Sequence, residues 1–395
     1  MDDRSTIYKI LKEIIIDNKY SNIVLRNYNI NSSISKNIYG ILERKIELDF
    51  IISRYVKKIK NSLKIFLYIA IYQLKFLEKQ DYAVINEVVN LAKKIKGREN
   101  SNFINAILRK INEDIRNNSI NIDEENIFYS VTPFFLNELK KYYPNDYKTI
   151  LDDCFGPKPV HLYILKNFEN IKNVLKENNI KFIEEKNFLI VNNYSHEILN
   201  EFYENGDYTI LDYSTHSILD VMPDNINNIV DYCSAPGGKS ILIKSNYPSC
   251  NLLCMDVNEV RLNLMKNNFK RFNFKNIDFK INDATNGYIE SELAILDLPC
   301  TGSGVLARKP EIRYRLDNKN TTELLNIQRE IIDNICSKTK KGNYVILSTC
   351  SILNSENEQN VDYIVEKYGF NILKSKKVLP TKENEGFFCA LIQKI

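Results

Sequence analysis

The stretch Asp231-Tyr232-Cys233-Ser234-Ala235-Pro236-Gly237-Gly238-Lys239-Ser240 joins a short apolar run, 229–232, to a helical pattern that begins near Lys239. Small residues with a glycine pair at such a junction make a tight turn whose backbone a ligand can approach closely. Strand and helix then alternate to the end of the chain. Strands are expected at 229–232, 252–256, 278–282, 294–298 and 344–348, with helices from 239 and over 259–269, 322–337 and 357–368. That alternation implies a Rossmann-like, doubly wound α/β sheet, mostly parallel, with ligands beyond the carboxyl ends of its strands. The tail 387–392 reads as a final, antiparallel strand.

The glycine turn excludes two common readings. A triphosphate-binding loop needs glycine five residues before Gly238, where Cys233 stands, and Pro236 removes an amide that a phosphate cradle would use. No Gly-x-Gly-x-x-Gly dinucleotide fingerprint is present. Asp256 closes the second strand, where a carboxylate accepts ribose hydroxyls, and Asp283 follows the third, placed to meet an adenine edge. A phosphate-free nucleoside cofactor fits, and S-adenosylmethionine is the obvious one. Residues 233–239, namely Cys233, Ser234, Ala235, Pro236, Gly237, Gly238 and Lys239, with Asp256, Asp283 and Asp297, are its expected contacts.

Two cysteines end later strands: Cys300 in Asp297-Leu-Pro-Cys-Thr-Gly and Cys350 in Ser348-Thr-Cys-Ser. An isolated free cysteine is most often a small buried apolar residue. The prolyl context, the strand-end positions and the preceding Asp297 point instead to covalent chemistry. The three histidines, His161, His196 and His216, lie outside these segments, which disfavours a cysteine–histidine pair. The eight cysteines include no Cys-x-x-Cys pair, so neither a zinc ribbon nor a disulfide framework is expected, and no metal.

Upstream, apolar residues recur at helical spacing over 38–52, 63–77, 83–95 and 103–115, and proline is absent before Pro133. Residues 1–125 therefore read as an all-helical domain, 126–225 as a small α+β segment and 226–395 as the α/β domain. Thr132-Pro133 fits a helix start. The net charge of +4 is uneven: residues 1–130 carry 22 Lys+Arg against 16 Asp+Glu. Such a surplus attracts phosphate backbones, although it also fits a solvated lysine-rich surface. No apolar run reaches the roughly 18 residues of a membrane span, and the N-terminus lacks an apolar signal region. A cytoplasmic monomer, away from membranes, is the expectation.

The motifs at 233–239, 297–304 and 348–351, with Arg308-Lys-Pro-Glu-Ile-Arg and Glu385-Gly-Phe-Phe, resemble those of the RNA cytosine-C5 methyltransferases. Tyr39-Gly-Ile-Leu-Glu-Arg, Tyr72-Gln-Leu, Asn86-Glu and Asn102-Phe-Ile-Asn-Ala-Ile-Leu-Arg resemble the NusB-type helical RNA-binding domain. The two together are similar to the Sun/Fmu (RsmB-type) family, which forms 5-methylcytosine in small-subunit (16S) rRNA. The resemblance implies that Cys350 attacks cytosine C6, that Cys300 assists product release, and that Asp297 holds the base edge. It also implies 16S rRNA, free or partly assembled, as the partner. The middle region departs from the family: Leu162-Tyr-Ile-Leu-Lys-Asn and Leu211-Asp-Tyr-Ser-Thr replace its usual stretches. A tRNA or other rRNA cytosine as target, and a non-catalytic RNA-binding assembly factor, are the alternatives.

Overall fold

A computed structural model of the protein describes residues 3–192 and 194–395. They form two compact units. One comprises residues up to Gly156 together with Leu306–Asp317; the other comprises Pro157–Val305 and Asn318–Ile395. The divisions expected near 125/126 and 225/226 therefore do not coincide with the compact units. The stretch 126–225 is shared between the two, and a short segment from the middle of the α/β sequence packs with the helices.

The first unit is built from the helices Asp3–Ile15, Ser32–Glu43, Lys45–Ser53, Asn61–Lys75, Asp81–Lys96 and Arg98–Arg116, followed by shorter ones. Asn61–Lys75 is the central helix: Leu63 and every residue from Ile65 to Leu74 are buried, which an all-round apolar sequence requires. The helix expected over 38–52 breaks at Arg44, with φ −102° and ψ 12°. Its guanidinium lies 4.0 Å from the Phe155 ring centroid and 5.3 Å from that of Phe76. No proline or glycine marks this break, so tertiary packing decides it. Gly40 is required by a close crossing, since a Cβ there would fall 1.9 Å from the Tyr72 hydroxyl. Thr132 caps Pro133–Tyr142 as expected, its hydroxyl accepting from the Phe135 amide at 3.3 Å.

Leu306–Asp317 is anchored in this unit by two buried charges. The Glu311 carboxylate accepts from the Ser21 amide and hydroxyl at 2.8 and 3.2 Å. The Arg313 guanidinium donates to the Tyr129 and Cys154 carbonyls at 3.1 and 2.6 Å and sits 4.0 Å from the Phe155 ring centroid. Neither side chain is exposed.

The second unit contains two sheets. Strands β1 (Val160–Ile164), β2 (Phe182–Glu185), β3 (Phe188–Val191) and β4 (Tyr208–Ile210) form a small antiparallel sheet in the order β2-β3-β1-β4. The large sheet contains β5 (Asn228–Asp231), β6 (Asn251–Asp256), β7 (Ile277–Ile281), β8 (Leu293–Asp297), β9 (Tyr344–Thr349), β10 (Phe370–Val378) and β11 (Phe387–Lys394). Its order is β10-β11-β9-β8-β5-β6-β7; β5 to β9 are mutually parallel, and β10 and β11 are antiparallel. Alternate residues feed opposite cores: Ile229, Ile295 and Ile346 enter one, Val230, Leu296 and Leu347 the other. Chain order reverses between β5 and β8, a topological switch point of the kind where such sheets bind ligands.

The expected strands are present, and β11 is antiparallel as read from the sequence. Strand β10 was not legible. Its sequence, Phe-Asn-Ile-Leu-Lys-Ser-Lys-Lys-Val, is mostly exposed, and lysines of this kind protect a sheet edge from further pairing.

Candidate active site

Three loops leave the carboxyl ends of β5, β8 and β9, on either side of the switch point. The first begins with Cys233 and ends where Gly237, at φ +103°, turns the chain into the helix Gly238–Asn246. A Cβ at Gly237 would stand 2.7 Å from Phe269 Cε2 and 2.9 Å from Met265 Cγ, so the turn packs directly on the next helix. Ser234 is buried, its amide and hydroxyl both donating to the Met255 carbonyl, at 2.8 and 2.9 Å. Its side chain therefore fastens the loop to β6. The Ala235 amide donates to Asp256 Oδ2 at 3.3 Å, and the Asn258 amide to Asp256 Oδ1 at 2.9 Å. Arg261, which the sequence did not single out, donates to the Ala235 carbonyl and stands 3.5 Å from Asp256 Oδ2.

Asp283 follows β7 on an exposed turn. Its Oδ1 accepts from the Thr285 amide and hydroxyl at 2.9 and 2.7 Å, which hold its carboxyl below the usual range. Asp231, also missed, is fully buried at the end of β5. Ser240 donates to its Oδ2 at 2.6 Å, and Oδ1 has no hydrogen-bond donor among the described residues. The Ser234 and Ala235 amides are spent on β6 and Pro236 has none, so the turn offers no phosphate cradle and suits a phosphate-free nucleoside such as S-adenosylmethionine.

Burial pushes the Asp231 carboxyl up to about 7, against the Ser240 hydrogen bond and with help from the Asp297 charge. An acid whose folded pKa exceeds its unfolded one binds more protons when folded, so its contribution to stability falls as pH rises from about 4 to about 7. Asp231→Asn is expected to flatten that part of the stability profile, as measured by urea unfolding across the interval. An unchanged slope would contradict the assignment.

The second and third loops carry the cysteines. Cys300 Sγ and Cys350 Sγ are 3.3 Å apart, both half-buried, and none of the eight cysteines is in a disulfide. The hydrogen bond to Cys350, then burial and the Glu356 and Asp297 charges, push the Cys300 thiol well above the ordinary range. Cys300 therefore keeps its proton near neutral pH. Asp297 Oδ2 accepts from Lys239 Nζ at 2.7 Å, and Asp297 Oδ1 from the Ser348 hydroxyl at 3.1 Å. Burial works against the Lys239 ammonium, but Asp297 and then Cys350 outweigh it and hold its pKa above normal. Lys239 thus stays charged, 5.3 Å from the Phe387 ring centroid. Gly304 brings the loops together: its amide donates to the Cys350 carbonyl at 3.0 Å, and a Cβ there would lie 2.8 Å from that oxygen. Lys239, Asp297, Cys300 and Cys350 form one cluster; Asp256 and the 233–239 turn flank β5 and β6 beside it, and Asp283 lies at the end of β7.

Residues 217–393 match the family model for the 16S rRNA methyltransferase RsmB/F, and residues 1–113 match the NusB family. The α/β part of the chain belongs to the RsmB/F methyltransferase family, joined to a NusB-family domain. The chain is 26% identical over 391 residues to ribosomal RNA small subunit methyltransferase B of Yersinia pseudotuberculosis, covering 90% of this chain and 89% of the relative. The crystal structure of PH0851 superposes with a TM-score of 0.83 at 20% identity, over 99% of this chain and 98% of that one. NSun6 from Pyrococcus horikoshii superposes at 0.58 and 18% identity, over 67% of this chain and 98% of its own.

The RsmB/F match makes the protein an rRNA methyltransferase. The Rossmann-like fold and the methyltransferase chemistry expected from the sequence are both met. Among the described residues no helix is long and apolar enough to cross a membrane, and no group of three histidine, cysteine or acidic side chains could hold a metal.

Proposed function

We propose that this RsmB/F-family protein methylates C5 of a cytosine in small-subunit (16S) rRNA through a covalent adduct to Cys350. The observation that carries the reading is the thiol pair at 3.3 Å beside the Lys239–Asp297 ion pair. C5 of cytosine is too weak a nucleophile to take a methyl group unaided. The Cys350 thiolate adds to C6, and C5 gains the electron density of an enamine. Asp297 meets the N3/N4 edge of the base and stabilises the charge that develops on the ring. The Lys239 ammonium stabilises the Cys350 thiolate. S-adenosylmethionine supplies an electrophilic methyl group to C5. The C5 proton then passes to solvent, its bonding pair restores the 5,6 double bond as the C6–S bond breaks, and the protonated Cys300 stabilises the departing Cys350 sulfur.

Residues 233–239, with Asp256, Asp283 and Asp297, are the contacts proposed for the cofactor, and the buried Asp231 supports the turn by accepting from Ser240. Gly237→Ala forces a side chain into a left-handed backbone and against Phe269. Its expected effect is at least about a ten-fold loss of S-adenosylmethionine affinity by calorimetry; unchanged affinity would remove the turn from the cofactor site.

The basic NusB-family domain is proposed to hold the rRNA while the target base is splayed into the cluster. The test supplies methyl-labelled S-adenosylmethionine and unmethylated small-subunit rRNA, then digests the product to nucleosides. Label in 5-methylcytidine is expected. Label in any other nucleoside would overturn the cytosine-C5 reading.

A further inference from the structure

Glu356 and Asn357 follow the Cys350 loop and are both fully buried. Glu356 holds Thr301, directly after Cys300, and through Gln328 it reaches Pro299, directly before it. Its Oε1 accepts from the Thr301 amide at 2.9 Å and from Gln328 Nε2 at 3.0 Å, and its Oε2 accepts from the Thr301 hydroxyl at 2.6 Å. Gln328 Nε2 donates in turn to the Pro299 carbonyl at 2.9 Å, and Asn360 fixes the amide by donating to Gln328 Oε1 at 2.7 Å. Asn357 does the same for Cys350. Its Oδ1 accepts from the Thr349 hydroxyl at 2.5 Å, and its Nδ2 donates to the Ser351 carbonyl at 2.9 Å. Two consecutive residues, one of them acting partly through Gln328, thus hold the chain before and after each thiol.

We propose that Glu356 and Asn357 are positioning residues that set the distance between the Cys300 and Cys350 sulfurs, and that Cys300 reaches the departing Cys350 only while this clasp is closed. The functional half of the proposal rests on the reading of Cys300 as the release group. The clasp accounts for a carboxylate in the interior: hydrogen bonds from Ser351, from the Thr301 amide and hydroxyl and from Gln328 oppose the burial that raises its pKa. Its charge is not what the clasp needs. In Glu356→Gln the amide oxygen still accepts from the Thr301 amide and Gln328, and the amide nitrogen donates to the Thr301 hydroxyl. Glu356→Ala removes every contact.

Thiol proximity can be read without any methyl transfer. Diamide takes two electrons and two protons from a pair of neighbouring thiols and leaves a disulfide, which peptide mapping locates at Cys300–Cys350. Glu356→Ala and Asn357→Ala are expected to form it about ten-fold more slowly than the unaltered protein, and Glu356→Gln at nearly the original rate. In single-turnover reactions with rRNA, Glu356→Ala should transfer the methyl group yet accumulate the covalent protein–RNA adduct, as is expected of Cys300→Ala. If Cys300→Ala itself accumulates no adduct, the release reading fails, while the disulfide rates still judge the clasp. Glu356→Ala forming the disulfide at the original rate, or Glu356→Gln as slow as Glu356→Ala, would overturn it. Should Glu356→Ala not fold, Thr301→Val removes one donor only; disulfide formation at an unaltered rate in that variant would also overturn the clasp.

Discussion

Cys350→Ala is expected to lower methyl transfer to rRNA by at least about a thousand-fold, the scale of losses seen when a covalent nucleophile is removed. The change is local. Cys350 is half-buried, its carbonyl still receives the Gly304 amide, and Asn357 still holds the residues on either side, so folding and cofactor binding should persist. Cys300→Ala should behave differently, because on the proposed division of roles its thiol serves release and not attack. The first methyl transfer proceeds, the C6–S bond breaks slowly, and protein remains attached to RNA on a denaturing gel. Rapid-quench single turnovers separate the two variants. Equal losses in both, with no adduct in either, would contradict the division of labour between the thiols.

Arg313→Ala is expected to destabilise the helical unit by about 3–5 kcal/mol in denaturant unfolding. The guanidinium is fully buried, so its removal strands the Tyr129 and Cys154 carbonyls without donors and leaves a cavity beside Phe155. Arg313→Lys should recover little, because an ammonium cannot reproduce a planar fork that reaches two carbonyls at once. A loss below about 1 kcal/mol would show that the segment Leu306–Asp317 is not anchored by this side chain. The same packing warns against dividing the chain at 125/126: a fragment beginning there would deprive the buried Glu311 of the Ser21 amide and hydroxyl.

The large sheet was readable from sequence because strand and helix alternate with clear periods, and because each strand's carboxyl end carries a distinctive residue. Asp256, Asp297, Cys300 and Cys350 could thus be named before their positions were known. What stayed hidden depends on contacts distant in sequence. The break at Arg44 is made by packing on Phe76 and Phe155, and the capture of Glu311 by the helical unit spans 290 residues of chain. Strand β10 reads as a polar lysine run because it forms an edge. In the site, Asp231, Arg261 and the Glu356–Asn357 clasp were missed for a common reason. Aspartate, arginine and asparagine near turns are ordinary caps and solvated groups in sequence, and only burial and partner geometry distinguish them.

The central claim is that Cys350 bonds to the target cytosine, and RNA carrying 5-fluorocytidine at the target tests it most directly. Fluorine replaces the proton that must leave C5, so after methyl transfer the C6–S bond cannot be released and the adduct persists. Nuclease and protease digestion followed by mass spectrometry should place a methylated fluorocytidine on the peptide containing Cys350. Its attachment to Cys300, or a complete absence of protein-linked RNA while unmodified substrate is still methylated, would contradict the account.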